Sequence, residues 1–165
     1  MIRSIWLVVA ATLALVPYAA HTQTLVTERT LSLSAAHDAA MAALEQCRKD
    51  GYKVTVTVLN RAGRTLVVMH DDGANPHTIE NSLRKAYTSL TFRTPSGEFG
   101  KRVTSNPTGA GTLHLDKVTT GEGALPIKAG EEIVGSIGIS GAPGGEKDAV
   151  CAQSGIDRIA KGLGG

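Results

Sequence analysis

Histidine is the residue type in this chain best suited to chemistry near neutral pH, because a neutral imidazole can bind a metal ion or transfer a proton. The chain has five histidines. Three lie in predicted helices or in a glycine-rich segment: His37, His77 and His114. His70 precedes two aspartates in a predicted turn, and His21 lies close to the N-terminus. The role of the first three decides between a ligand-binding protein, an enzyme and a domain without a small ligand.

The other polar residues form no recognisable catalytic pattern. Three serines lack the setting of a nucleophile elbow: Ser96, Ser105 and Ser140. The adjacent acidic pairs at 71–72 and 131–132 are typical of turns. We therefore assign no catalytic residue.

The glycine-rich segment SGAPGGEKD (140–148) joins a predicted strand to a predicted helix. Backbone N–H groups at such a junction can donate to a carboxylate or a phosphate. The segment lacks the Lys-Ser/Thr ending of a P-loop and the full G-x-G-x-x-G spacing. A tight turn with helix capping is the simpler interpretation.

Hydrophobic periodicity predicts the elements that position these residues. Apolar residues three and four apart predict a helix from Ser32 or Ser34 to about Lys49, with His37 on or beside its buried face. KVTVTVL (53–59), a turn, and RTLVVMH (64–70) predict a β-hairpin.

A second helix is predicted from Asn75 to a point before Pro95. Its predicted buried face consists of residues at intervals of four, three and four: Ile79, Leu83, Ala86 and Leu90. His77 lies about 200° from Ile79 around the helix, which predicts a position in a surface pocket or a subunit interface. The helix N-terminus disfavours the imidazolium form, which keeps the ring able to coordinate a metal.

The remaining chain predicts a long loop over 94–123, with a short helix near 97–103, followed by two strands and a last helix to about Lys161. The two strands are GALPIKAG and EEIVGSIGISG, with a turn near 129–131. Loops of this length inside a compact domain are often functional.

Composition indicates one domain and argues against nucleic-acid binding. The 165 residues are 42% hydrophobic, with 17 basic against 15 acidic residues and 4% aromatic residues. Neither a basic run nor a supply of aromatic side chains for base stacking is present in this sequence.

The N-terminus predicts export. Arg3 is followed by an apolar run from Ile5 to Val16, and small residues follow. This run is short for a membrane span, so an uncleaved membrane anchor is the weaker alternative. We expect a signal peptide over 1–22, a single domain over 23–165, a periplasmic or secreted location, and no membrane attachment after cleavage.

Export makes Cys47 and Cys151 a candidate disulfide. Both lie on predicted helices, where a buried free cysteine would pack equally well, so both alternatives stay open. A zinc site is not indicated, because no second cysteine or histidine lies two to four residues from either.

Three blocks occur in order along the chain: KVTVTVLNRAGRTLVVMHDDGA, HTIENSLRKAYTSLTF and GALPIKAGEEIVGSIGISGAPGGEKDAVCAQSGI. Together they resemble the GlcG/HbpS-like heme-binding family, which is related to the C-terminal domain of PduO-type proteins. The resemblance covers about 31–160 and implies a profilin-like α/β (α+β) fold, an antiparallel sheet of about five strands with packed helices, often oligomeric. The residues themselves predict four strands, so a fifth would come from TLHLDKV (112–118).

The resemblance also implies heme, expected as heme b, bound through a histidine. PduO-type domains imply a histidine in the first helix, which makes His37 the first candidate for the iron ligand. His77 is the alternate, above all if heme lies between subunits, and His114 could close over a ligand. Arg84 and Lys85 are candidate cations for the propionates or, equally, solvated helix residues.

The leading hypothesis is an exported, homo-oligomeric heme-binding protein that handles or senses heme. The alternative is an enzyme or accessory protein that binds a small organic acid through the glycine-rich loop and Arg84, with heme incidental. A third hypothesis is an oligomeric domain without a small ligand. Binding is favoured over catalysis, although weak heme-dependent peroxidase activity or heme degradation stays open.

Overall fold

The structure is a computed structural model that describes residues 25–164. Its helices and strands follow in the order α1 (Leu33–Lys49), β1 (Thr55–Asn60), β2 (Thr65–His70), α2 (His77–Phe92), α3 (Ser96–Ser105), β3 (Ala124–Ala129), β4 (Glu132–Ser140) and α4 (Gly145–Ile159). Short 3₁₀ segments lie at Pro107–His114 and Ala160–Leu163. The predicted signal peptide lies outside the described residues.

The four strands form one antiparallel sheet in the order β2-β1-β4-β3. This confirms the predicted α/β fold with helices packed on an antiparallel sheet. The expected fifth strand is wrong within residues 25–164, because TLHLDKV lies in the first 3₁₀ segment and the turn after it. Val118 of this stretch packs with Phe99 and Val103 of α3 in a small second core, so it does not extend the sheet.

One face of the sheet carries the main core, where α1 and α4 pack side by side. Val56 and Val58 of β1 and Ile137 and Ile139 of β4 are fully buried against them. Gly155 of α4 lets the two helices approach closely, since a Cβ atom there would lie 2.5 Å from the Ala39 carbonyl oxygen. The core thus fixes α4 against α1.

The opposite face of the sheet packs against α2 through polar side chains. The hydroxyls of Thr55 and Thr78 lie 2.7 Å apart, and those of Thr57 and Ser82 lie 2.8 Å apart. A Cβ atom at Gly138 would lie 2.4 Å from the Ser82 carbonyl oxygen, so glycine is needed for this approach. The polar face of α2 can therefore be buried, because its hydroxyls are hydrogen-bonded and the strand has no side chain at Gly138.

The predicted buried face of α2 is consequently wrong in most of its members. Its buried residues are Thr78, Ser82, Lys85, Ala86, Thr88 and Ser89. Ala86 alone of the predicted set is fully buried, whereas Ile79 is 46% exposed and Leu83 and Leu90 are half-buried. Hydrogen bonding to the hydroxyls of the sheet turns the polar side of α2 toward the sheet and leaves its most hydrophobic side partly exposed.

Cys47 and Cys151 are bonded to each other, with Cα atoms 5.5 Å apart. The bond joins α1 to α4, and both residues are fully buried in the main core. The disulfide alternative of the sequence analysis is therefore the one this structure adopts.

None of the helices formed by residues 25–164 has both the length and the apolar character to cross a bilayer.

Candidate functional site

His37 lies on the solvent side of α1, with 57% of its side chain exposed. The expectation that it lies on or beside the buried face is wrong, because that prediction counts Leu33 in the buried stripe and Leu33 is 62% exposed. The stripe instead consists of Ala36, Ala39, Ala40, Ala43, Leu44 and Cys47. These mostly small side chains allow α4 to pack closely. Because they form the buried face of α1, His37 lies at the surface.

An open depression of about 410 Å³, the α1–α4 depression, surrounds His37. Its lining residues are His37, Asp38, Met41, Ala42, Glu45 and, from α4, Arg158. Leu33 precedes His37 by four residues and Met41 follows by four, so the three lie along one side of the helix. Met41 is 36% exposed. The imidazole therefore lies in an exposed apolar row, and Arg158 lines the same depression.

Asp38 lies next to one nitrogen of the His37 ring. The Nδ1 atom is 3.5 Å from Asp38 Oδ1, at the outer limit of a hydrogen bond. When Nδ1 is protonated and donates a hydrogen bond to this carboxylate, Nε2 keeps a free lone pair. A carboxylate on the second nitrogen is the common orienting partner of a metal-binding histidine.

His77 lines a different site, the glycine-loop cleft, of about 490 Å³. The cleft lies between α2 and the loop that leads into α4, and its other lining residues are Asn75, Asn81, Lys85, Gly121, Glu122, Ser140, Gly141, Ala142, Pro143, Gly144, Gly145 and Asp148. The predicted surface-pocket position of His77 is thus observed. This cleft is polar, and it does not offer the apolar wall that a porphyrin face requires.

Lys85 and Asp148 form a buried ion pair at this cleft. Lys85 Nζ donates to Asp148 Oδ2 at 2.7 Å and to the Ile139 carbonyl oxygen at 3.0 Å, while Asp148 Oδ1 accepts from the Ala142 N–H. Lys85 is 4% exposed. Burial raises the pKa of the Asp148 carboxyl, and the charge and hydrogen bond of Lys85 oppose that shift.

The other two predicted site residues are Arg84 and His114. Neither is among the described residues that line the two sites. Arg84 is half-buried on α2 and lies 3.7 Å from Glu80, one turn earlier. His114 is exposed at the end of the first 3₁₀ segment. Each site therefore contains one of the predicted histidines: His37 in the α1–α4 depression and His77 in the glycine-loop cleft.

A profile of the family described as "Haem degrading protein HbpS-like" matches residues 31–157. The chain belongs to the HbpS-like family. The resemblance drawn from the three sequence blocks is thereby confirmed.

Solved structures similar to this HbpS-like chain include a double mutant of HbpS from Streptomyces reticuli. It is 36% identical with a TM-score of 0.77, over 87% of this chain and 97% of that one. The PduOC:heme complex is 26% identical with a TM-score of 0.71, over 79% and 95% of the two chains. An uncharacterized 15.0 kDa protein of Citrobacter freundii, from the dhaT-dhaS intergenic region, is 26% identical over 130 residues, 78% of this chain and 91% of its own.

The sequence of this HbpS-like protein contains a signal for the α1–α4 depression that hydrophobic periodicity alone does not reveal. Leu33, His37 and Met41 follow one another at intervals of four. This exposed row is not recognised when Leu33 is assigned to the core. Asp38 is the direct neighbour of His37 and could have been noted. Arg158 is far from His37 in sequence, and only the packing of α4 on α1 brings it there.

Proposed function

We propose that this HbpS-like protein is an exported heme-binding protein in which His37 coordinates the iron of heme b. Family membership and the similarity to the PduOC:heme complex support a heme-related function. The individual ligand and the role in the cell go beyond those similarities. The α1–α4 depression supports the ligand, and the N-terminal sequence supports export.

The observation that carries the proposal is an exposed imidazole inside an exposed apolar row. Iron coordination needs a nitrogen lone pair, which His37 offers at Nε2 when Asp38 accepts from Nδ1. The porphyrin ring needs apolar surface, which Leu33 and Met41 offer one turn to either side. The donor set therefore fits heme, and the bound heme would supply an iron centre for sensing or transfer.

The α1–α4 depression is open, so a porphyrin held there would leave much of its surface in contact with solvent. A large apolar face left in water is unfavourable, since burial contributes about 25 cal/mol for each Å² removed from solvent. A second copy of the chain would cover it, consistent with the proposed homo-oligomer.

Export is proposed from the N-terminal sequence, where Arg3 precedes an apolar run that ends before Pro17. The disulfide between Cys47 and Cys151 is consistent with an oxidising compartment, because such bonds rarely persist in the cytosol. We therefore propose that the protein acts in the periplasm or outside the cell.

Two observations weigh against the alternative of a small organic acid at the glycine-rich loop. Arg84, which would neutralise the acid, is not among the residues that line the glycine-loop cleft. Glu122 does line it, and the positive charge of Lys85 is already paired with Asp148. An added carboxylate would thus meet no unpaired lysine or arginine among the described residues that line this cleft.

Replacing His37 by alanine is expected to weaken hemin binding about 100-fold, equivalent to about 2.7 kcal/mol, because the iron loses its protein nitrogen ligand. The measurement is a hemin titration of the mature protein, followed by the Soret band in the visible spectrum. Wild type should give a saturable, shifted band, and the His37→Ala protein should give a spectrum close to that of free hemin.

His77→Ala and His114→Ala serve as matched controls, since each removes an imidazole from outside the α1–α4 depression. Both should keep a saturable band with smaller changes than His37→Ala. Full affinity in His37→Ala, with loss in one control, would move the ligand to that residue. A wild-type titration no different from that of an unrelated protein would refute heme binding itself.

A further inference from the structure

We propose that Arg158 of α4 binds a propionate carboxylate of the heme, and so gives the site a preference for porphyrins with free carboxylates. This inference rests on the proposed function and adds to it a residue that selects the ligand. Arg158 would bind the propionate edge of the porphyrin, whereas His37 would bind the iron.

The position of Arg158 is the first support. Arg158 lines the same depression as His37 and Met41, but it belongs to the other helix. Gly155, one turn earlier, packs against Ala39, which lies two residues after His37. The close contact of the two helices at this point fixes where the Arg158 backbone stands relative to the imidazole.

The second support is that Arg158 forms no ion pair with another described residue. Within residues 25–164, four other arginines form ion pairs with carboxylates: Arg29, Arg48, Arg61 and Arg84. Arg158 forms none in that part of the chain, although Asp38 and Glu45 line the same depression. Its guanidinium is thus available to a carboxylate that arrives with a ligand.

The charges around His37 also favour one orientation of the heme. Asp38 and Glu45 on α1 repel a propionate, and Arg158 is the one arginine or lysine among the described residues that line the depression. A planar guanidinium can donate two parallel hydrogen bonds to a carboxylate. The propionate edge should therefore point toward α4, with the apolar part of the ring over Leu33 and Met41.

The test compares hemin with hemin dimethyl ester, in which both propionates are esterified and uncharged. Each is titrated into wild type, Arg158→Gln and Arg64→Gln, with the Soret band as readout. Arg64→Gln is the matched control, because it removes the same charge from the turn between β1 and β2, which does not line the depression. Each titration is run at low and at moderate salt.

We expect Arg158→Gln to weaken hemin binding about fivefold at low salt and less at higher salt, because the pair is exposed and screened. The ester should bind wild type and Arg158→Gln equally, and Arg64→Gln should match wild type with both ligands. Arg158→Lys should regain part of the hemin affinity.

Equal weakening of hemin and ester by Arg158→Gln, or no change with either, would overturn the assignment of Arg158. Failure of this inference is distinguishable from failure of the proposed function. In the first case wild type still gives a saturable Soret band that depends on His37. In the second case wild type gives no such band, and both proposals fall.

Discussion

Replacing Lys85 by methionine alone is expected to lower the free energy of unfolding by about 3–5 kcal/mol at neutral pH. Methionine fills a similar volume, so packing changes little. The loss arises because Asp148, which is 2% exposed, remains in the interior without its cation. Urea denaturation followed by circular dichroism would measure the change.

The double variant Lys85→Met/Asp148→Asn is the control for this prediction. Asparagine keeps an oxygen that can accept from the Ala142 N–H, and it carries no charge. The double variant should therefore be more stable than Lys85→Met. If the two variants are equally unstable, the loss comes from packing and not from an unpaired charge.

The loss in Lys85→Met should also depend on pH. Burial already raises the pKa of Asp148 above its ordinary value of 3.8, and removal of Lys85 raises that pKa further. A raised carboxyl pKa lowers stability at higher pH and has no effect once both folded and unfolded chains are protonated. The difference from wild type should thus be largest at neutral pH and shrink as the pH falls toward 3.8.

The double variant Cys47→Ala/Cys151→Ala is expected to lose about 4 kcal/mol of unfolding free energy. The bond spans 104 residues of sequence, and closing so long a loop restricts the unfolded chain strongly. Alanine avoids placing a hydroxyl in the main core, where both cysteines are fully buried. The comparison is a denaturant titration of the variant against oxidised wild type.

Two measurements on wild type act as controls for the disulfide. Thiol titration of the unfolded, non-reduced protein should find no reactive thiol, whereas two would show that the bond is absent. Wild type titrated with denaturant under reducing conditions should approach the stability of the alanine variant. Equal stability of oxidised and reduced protein would contradict a stabilising role for the bond.

The sequence predicted the fold well where local patterns coincide with packing. Alternation in KVTVTVL and the spacing of apolar residues in α1 correspond to β1 and to the extent of α1 (Leu33–Lys49). The short helix expected near 97–103 is α3, and the turn expected near 129–131 joins β3 to β4. In these stretches residues close together in the chain are enough to predict the structure.

Prediction failed for α2 because hydrophobicity was the only criterion. The helix buries Thr78 and Ser82 because β1 offers hydroxyls to both, and Gly138 of β4 leaves room for the approach. It buries Lys85 because Asp148 of α4 offers a carboxylate. Those partners are distant in sequence and are known only after the strands pair. The same limit applies to Arg158, whose place beside His37 follows from the packing of α4.

His37 as the iron ligand stays a prediction, whereas its predicted setting is wrong. The family resemblance and the apolar spacing of α1 predict His37 as a ligand on or beside the buried face, and the structure places it at the surface instead. Exposure leaves room for a large planar ligand to approach the imidazole, which a core position would not. The surface row of Leu33, His37 and Met41 now carries the proposal.

Rescue of His37→Gly by free imidazole is the most direct test of iron coordination by His37. The site is open, so added imidazole can reach iron bound there. We expect His37→Gly to lose the shifted Soret band and to regain it on addition of imidazole, while His77→Gly keeps the band throughout. A His37→Gly protein with the wild-type spectrum in the absence of imidazole would contradict the account.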